Sequence, residues 1–127
     1  MRLVRKLSPP TGLSLTAAGV LAALERGGPR RLTELAAAEG VTQPAMTQLI
    51  SRLQESGLVE RKPDAVDRRV VTVHITRKGR DELAYRRGVR AERLEGLLTD
   101  ISPEHHAALA AAIPAITALT ELAGVTS

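Results

Sequence analysis

Val41-Thr-Gln-Pro-Ala-Met-Thr-Gln-Leu-Ile-Ser-Arg-Leu-Gln-Glu-Ser-Gly57 is the segment from which the rest of the chain can be ordered. Thr42 suits a helix N-cap, where its hydroxyl takes up an amide donor of the first turn. Pro44 falls inside that turn, where its missing N–H costs nothing, and Gly57 can close the helix in a left-handed cap. Between them Met46, Leu49, Ile50 and Leu53 recur at i, i+3, i+4 and i+7 and form one apolar face. Pro44, Gln48, Ser51 and Glu55 turn outward, with Thr47 and Arg52 on the flanks. This outer face carries little charge and several short hydrogen-bonding groups. It suits base edges in a major groove, where Gln pairs with adenine and Ser or Thr with several bases. It equally describes an ordinary solvated helix face, so its neighbours must decide.

Downstream the period changes. Leu58 to Lys62 reads as a short strand stopped by Pro63, and Val71, Val73 and Ile75 alternate with Thr72, His74 and Thr76 as a half-buried strand. The polar turn Pro63-Asp-Ala-Val-Asp-Arg-Arg69 joins them, which predicts a β-hairpin with a charged tip. Thr76 then caps a long helix to about Thr99, rich in arginine until Arg93, with a clean stripe only at Leu94, Leu97, Leu98 and Ile101. Ser102-Pro103 starts a last helix whose Leu109, Ala112, Ile113, Ile116, Leu119 and Ala123 share a side. Pro114 is expected to kink it or begin a new turn.

Upstream, Met1 to Leu7 can end a helix that Ser8-Pro9-Pro10 stops. Ser14 or Thr16 caps a second helix with Ala17, Val20, Leu21 and Leu24 inward, ended by Gly27-Gly28-Pro29. Thr33 is expected to cap a short helix closed by Gly40, one residue before the Thr42 cap. Two helices joined by so tight a turn predict a helix-turn-helix.

The 127 residues suffice for one domain with a modest core, and Tyr85 is the lone aromatic, so packing must rest on aliphatic side chains. The absence of Cys excludes disulfides and thiolate metal sites. Charge is divided unevenly along the chain. Residues 1–93 hold all 18 Lys and Arg and ten acids, a net +8, whereas 94–127 hold Glu95, Asp100, Glu104, Glu121 and no base, a net −4. A polyanion partner is expected for the first part only. Met1 to Ser8 lacks the apolar core of a signal peptide. The uncharged run from His105 to Thr120 falls short of the about 20 apolar residues a membrane span requires. A soluble, cytoplasmic protein without membrane association is expected.

Helix-turn-helix, β-hairpin and long helix follow one another as in a winged helix-turn-helix. The segment Asp67-x-Arg69-x-x-x-Val73-x-Ile75-Thr76, with Gly79 after it, resembles the Asp-x-Arg-x-x-x-Leu-x-Leu-Thr signature of the MarR (multiple antibiotic resistance regulator) family. Gly57-Leu-Val-Glu-Arg61 and Val41-Thr-Gln match the borders of that family's recognition helix, and the resemblance spans roughly residues 10–123. It implies a mainly α fold with a small β-hairpin wing. A remnant of an N-terminal dimerisation helix would occupy 1–10, the winged DNA-binding domain 11–80, and C-terminal dimerisation helices 81–127. The N-terminal remnant is shorter than the family's usual first helix: either the sequence is shortened there or the interface leans on the C-terminal helices.

The resemblance further implies a dimeric transcription regulator, in the family most often a repressor released from DNA by a small phenolic or lipophilic ligand. On that basis the double-stranded DNA contacts are expected at Thr42, Gln43, Pro44, Thr47, Gln48, Ser51 and Arg52. Arg68 and Arg69 are then the minor-groove candidates and Asp67 the residue that orients one of them. Leu94, Leu98, Ile101, Leu109, Ile113, Ile116 and Leu119 are expected at a homodimer interface, and a pseudo-palindromic operator would match its symmetry.

Each assignment has a plainer rival. Arg52 can hold a phosphate or pair with an acid, and Arg68 and Arg69 can pair with Asp64 and Asp67. Arg77, Lys78 and Arg80 lie near the wing as phosphate contacts or as a solvated helix start. His74 reads as a surface or packing residue, and His105 and His106 point apart on a helix, so no metal site or cofactor is expected. An enzyme would need a convergent nucleophile, base or carboxylate pair, and none is visible. Three function classes remain: a sequence-specific regulator, an architectural DNA binder without sequence preference, and a protein-interaction module. Hydrogen-bonding groups on the recognition helix favour the first over the second, and the basic wing disfavours the third.

Overall fold

A computed structural model describes residues 13–124. The expectations for the helix end at Met1 to Leu7 and the remnant at 1–10 lie outside those residues.

The first described helix, α1 (Leu15–Gly27), begins where the Ser14 hydroxyl accepts the Ala17 N–H at 3.0 Å. Ala17, Val20, Leu21 and Leu24 are buried, as their spacing predicts, and Gly28 ends the helix at φ 76°. Arg30–Arg31 then forms a two-residue strand, β1, which the sequence reading did not anticipate. Two arginines are too few to show a period of two; only their partner strand reveals them. The helix after it, α2 (Leu32–Glu39), is capped at Arg31 rather than at Thr33. The chain leaves β1 in extended conformation, and the Glu34 carboxylate reaches back to accept the Arg31 N–H at 3.2 Å, so the helix starts two residues earlier.

Gly40, at φ 66°, closes α2 and turns the chain into α3 (Gln43–Glu55). The Thr42 hydroxyl caps α3 through the Ala45 N–H at 3.3 Å. Met46, Ile50 and Leu53 are buried and Leu49 is half-buried, so the predicted stripe is the face turned to the core. At its end Gly57 takes φ 77°, while the Gly57 and Leu58 amides bond the carbonyls of Gln54 and Leu53, each at 2.9 Å. Such a left-handed closure disfavours any residue with a Cβ.

Strands β2 (Val59–Pro63) and β3 (Val71–Ile75) form the hairpin, with Val59 opposite Ile75 and Pro63 opposite Val71. β3 is central, since β1 pairs with its other edge through Arg30–Val73 and Arg31–Thr72. The expected alternation of β3 holds only in part. Val73 is buried and Ile75 half-buried, but Val71 is exposed near the tip and Thr72 is buried. Thr72 tolerates burial because its hydroxyl bonds the Lys62 carbonyl and the His74 ring, at 3.4 and 2.9 Å.

Two helices complete the chain, α4 (Arg77–Thr99) and α5 (Pro103–Leu122). Thr76 caps α4 by accepting the Gly79 N–H at 3.0 Å, and Ser102 caps α5 through the His105 N–H at 3.2 Å. α5 runs on through Pro114 as one helix rather than restarting there. The core gathers Val20, Leu21, Leu24, Leu35, Met46, Ile50, Val59, Val73 and Leu83 from α1, α2, α3, the sheet and the start of α4. By contrast α5 buries nothing, leaving Leu109, Ile113, Ile116 and Leu119 each more than half exposed. No helix among the described residues is long and apolar enough to cross a membrane.

Candidate nucleic-acid interface

The core grips α3 by one side, so its other side is left to solvent. Thr42, Gln43, Pro44, Thr47, Gln48 and Arg52 are exposed there, and Ser51 is half-buried. Ser51 owes its partial cover to a residue not singled out as a contact in the sequence, Arg61. Val59 is buried and shares its face of β2 with Arg61 two residues on, where the core face runs out. The Arg61 guanidinium therefore lies over α3. Its Nη2 donates to Ser51 Oγ at 3.1 Å and to the Thr47 carbonyl at 3.5 Å, and its Nη1 to Gln54 Oε1 at 3.5 Å. Thr47 in turn spends its hydroxyl proton on the Gln43 carbonyl, 2.9 Å away.

The hairpin tip is built by two carboxylates. Asp64 accepts the amides of Asp67 at 3.0 Å and Val66 at 3.2 Å, and the Asp64 amide bonds the Val70 carbonyl at 2.7 Å. Those backbone donors, Asp67 first and Val66 second, hold the Asp64 carboxyl below the usual range. Asp67 accepts from Arg69 three times, from Nε and the backbone amide at 3.2 and 3.1 Å on one oxygen and from Nη2 at 3.4 Å on the other. The Arg69 side chain, then its amide, lowers the Asp67 pKa. Asp67 thus contacts the Arg69 side chain, which is 91% exposed. Arg68 is exposed at the same tip and shows no hydrogen bond among the described residues.

Of the basic residues that open α4, Lys78 has a defined role. Its ammonium donates to the Ser56 carbonyl at 2.8 Å, placing a cation at the C-terminal end of α3, where the helix dipole favours one. Arg77 and Arg80 are exposed. The three histidines do not converge, and no group of His, Cys, Asp and Glu suited to a metal ion exists among the described residues.

A second feature lies away from this face. A cavity of about 390 Å³ opens between α1 and α4, with Leu15, Ala18 and Leu83 on its apolar side and Arg86, Arg87, Arg90 and Glu39 of α2 on its charged side. Arg86 is buried and donates to the Leu13 carbonyl at 3.1 Å, while Arg87 pairs with Glu25 at 2.7 Å. The scattered arginines of the α4 sequence gave no sign of this arrangement, because α1 supplies the opposite wall.

Known proteins bear on this geometry. The sequence pattern of the MarR family matches residues 11–70, a span that includes α1, α2, α3 and the wing tip. An HTH-type transcriptional regulator of Mycobacterium leprae is 36% identical over 103 residues, 78% of this chain and 72% of that protein. A crystal structure of a protein from Mycobacterium tuberculosis aligns with a TM-score of 0.80 at 25% identity, over 97% of this chain and 86% of the other. BpsR of Bordetella bronchiseptica, whose DNA binding is regulated by 6-hydroxynicotinic acid, shares the fold with a TM-score of 0.64 at 22% identity, over 91% of this chain and 83% of its own. The matched residues take in the helix-turn-helix and the arginine-tipped wing, and the relatives are transcription regulators: this protein belongs to the MarR family of DNA-binding transcription regulators.

Proposed function

We propose that the chain acts as a homodimeric, sequence-specific repressor that reads a pseudo-palindromic operator and is released by a small lipophilic or phenolic ligand. The observation that carries the reading is the chemistry of the outer face of α3. Thr47, Gln48 and Ser51 offer uncharged donors and acceptors of the kind that distinguish base pairs in the major groove. The wing supplies Arg68 and Arg69 for the minor groove, and Arg52 suits a phosphate. Thr42, Gln43 and Pro44 lie at the N-terminal end of α3, the end of a recognition helix that approaches the bases.

Dimerisation is supported by the apolar side of α5, which one small domain leaves uncovered. Residues 81–127, with Leu94, Leu98, Ile101, Leu109, Ile113, Ile116 and Leu119, form the dimerisation region in this reading. α4 crosses the 80/81 boundary, since Leu83 still packs into the core of the DNA-binding domain, and its later turns with α5 belong to the dimer. Release by ligand is supported by the cavity between α1 and α4. Its apolar wall faces Arg86, Arg87 and Arg90 with Glu39 beside them, a mixed lining that suits a small amphiphile with a polar group. The neighbour regulated by an aromatic acid is consistent with that chemistry.

Selection of bound duplexes from a random DNA pool tests the reading. A consensus with two inverted half-sites about one helical turn apart is expected. Recovery of unrelated sequences with equal affinity would instead indicate an architectural binder.

A further inference from the structure

We propose that Arg61 is a specificity-determining residue: by occupying a lone pair of Ser51 it makes that hydroxyl a donor toward DNA, so that α3 reads an acceptor edge there, guanine above all. The proposal rests on the reading of α3 as the helix that meets the bases.

A serine hydroxyl has one proton and two lone pairs and can serve a donor or an acceptor equally well. Left alone, it is a poor discriminator. Here Nη2 of Arg61 stands 3.1 Å from Ser51 Oγ and uses one lone pair. The guanidinium brings a positive charge to that contact. A positive charge so close repels the amino hydrogens of adenine N6 or cytosine N4 and attracts guanine O6 and N7 or thymine O4. The Ser51 proton is thereby directed outward to an acceptor. The guanidinium is held in place by three bonds, to Ser51, Gln54 and Thr47, with both Nη2 hydrogens spent on Ser51 and Thr47.

One turn earlier Thr47 has the opposite polarity. Its proton is committed to the Gln43 carbonyl at 2.9 Å, so only lone pairs face outward. Thr47 is thus an acceptor-only group beside the donor-biased Ser51. The two hydroxyls, alike in sequence, present different halves of the hydrogen-bond code. Arg61 is held for this task from outside the helix, on β2 opposite Val73 of the buried sheet face, so its origin is fixed by the core.

The test compares the full chain with Arg61→Ala, Arg61→Lys, Ser51→Ala and the double variant Arg61→Ala/Ser51→Ala, each taken through selection from one random duplex pool. Thermal melting shows whether each variant is folded. If Arg61→Ala is not, Arg61→Gln replaces it, since Gln retains part of the apolar stem. In the unmodified chain one position of each half-site should favour an acceptor edge. Arg61→Ala should lower the preference there by about tenfold while preferences at other positions persist. Arg61→Lys should restore part of it, because an ammonium still donates to the lone pair. In the Ser51→Ala background, loss of Arg61 should leave that position unchanged. If Arg61→Ala weakens all sequences equally and leaves the base profile intact, Arg61 is a phosphate clamp and the proposal is overturned. A different failure, no consensus even for the unmodified chain, would strike at base reading by α3 itself.

Discussion

Gly79 in the first turn of α4 lies directly against the carbonyl oxygen of Leu58, in the space where any other residue would carry its Cβ. The same Cβ would stand 2.8 Å from Ile75 Cγ1. Its helical backbone does not need glycine; the close approach of α4 to the root of the wing does. Ala is the better helix former by about 0.5–1 kcal/mol, so propensity alone predicts that Gly79→Ala stabilises the protein. Packing predicts the reverse, because a backbone oxygen cannot turn aside like a side chain. A loss of about 1–3 kcal/mol is expected. Urea unfolding checks the sign, and a raised midpoint would show that α4 does not pack on Leu58.

Ile116 gives a second expectation. It is 55% exposed on α5 beside Ile113 and Leu119, an apolar side that a second copy would cover. Ile116→Glu should separate the dimer, since an unpaired charge at a buried interface costs about 3–5 kcal/mol. The body of α1 to β3 should keep its melting behaviour, as its core contains nothing from α5. Light scattering at micromolar concentration reads the mass. An unmodified chain already of monomer mass would end this expectation.

The wing carries a pH-dependent contact whose sign can be worked out. Arg69 holds the Asp67 carboxyl below its ordinary pKa of 3.8, so the folded state favours the carboxylate more than the unfolded chain does. That contribution is present above pH about 4 and is lost as pH falls through the folded pKa. At neutral pH the pair is intact. Carboxyl NMR should place Asp67 below 3.8 in the unmodified protein and move it upward in Arg69→Ala. No movement would mean that Arg69 does not rest on Asp67 in solution.

Local signals made most of this architecture legible. Thr42, Thr76 and Ser102 all cap the helices assigned to them, and Ser14 rather than Thr16 caps α1, because a cap is a contact three residues long and is written in sequence. Arg31 displaced Thr33 because a strand precedes that helix, and β1 exists only through its pairing with β3. The same distance in sequence hid Arg61, ten residues from Ser51, and Lys78, twenty-two from Ser56. Period analysis assigns residues to faces of single elements; it says nothing of a side chain that crosses from a strand to a helix. Gly79 was visible as a feature of the family signature, yet its reason is a carbonyl on another element.

The final expectation separates the two kinds of DNA contact by mutation. Gln48 and Ser51 lie on the outer side of α3, and the polar ends of both can reach a base edge without carrying net charge. Gln48→Ala or Ser51→Ala should therefore cost about 1–3 kcal/mol on the best site and little on random DNA. Arg68 and Arg69 differ in kind, since their charge is attracted to any phosphate-lined minor groove. Changing both to Ala should weaken binding to most sequences and flatten its salt dependence, because each lost cation releases fewer counterions. Some loss of preference for A·T-rich flanks should accompany it, as narrow minor grooves attract arginine. The quantity to measure is the ratio of specific to random affinity for each variant across a salt series. Helix variants should lower the ratio, and the wing variant should lower both affinities together. If the helix variants lower both affinities equally, α3 contributes position rather than reading, and an architectural DNA binder describes this chain better than a sequence-specific repressor.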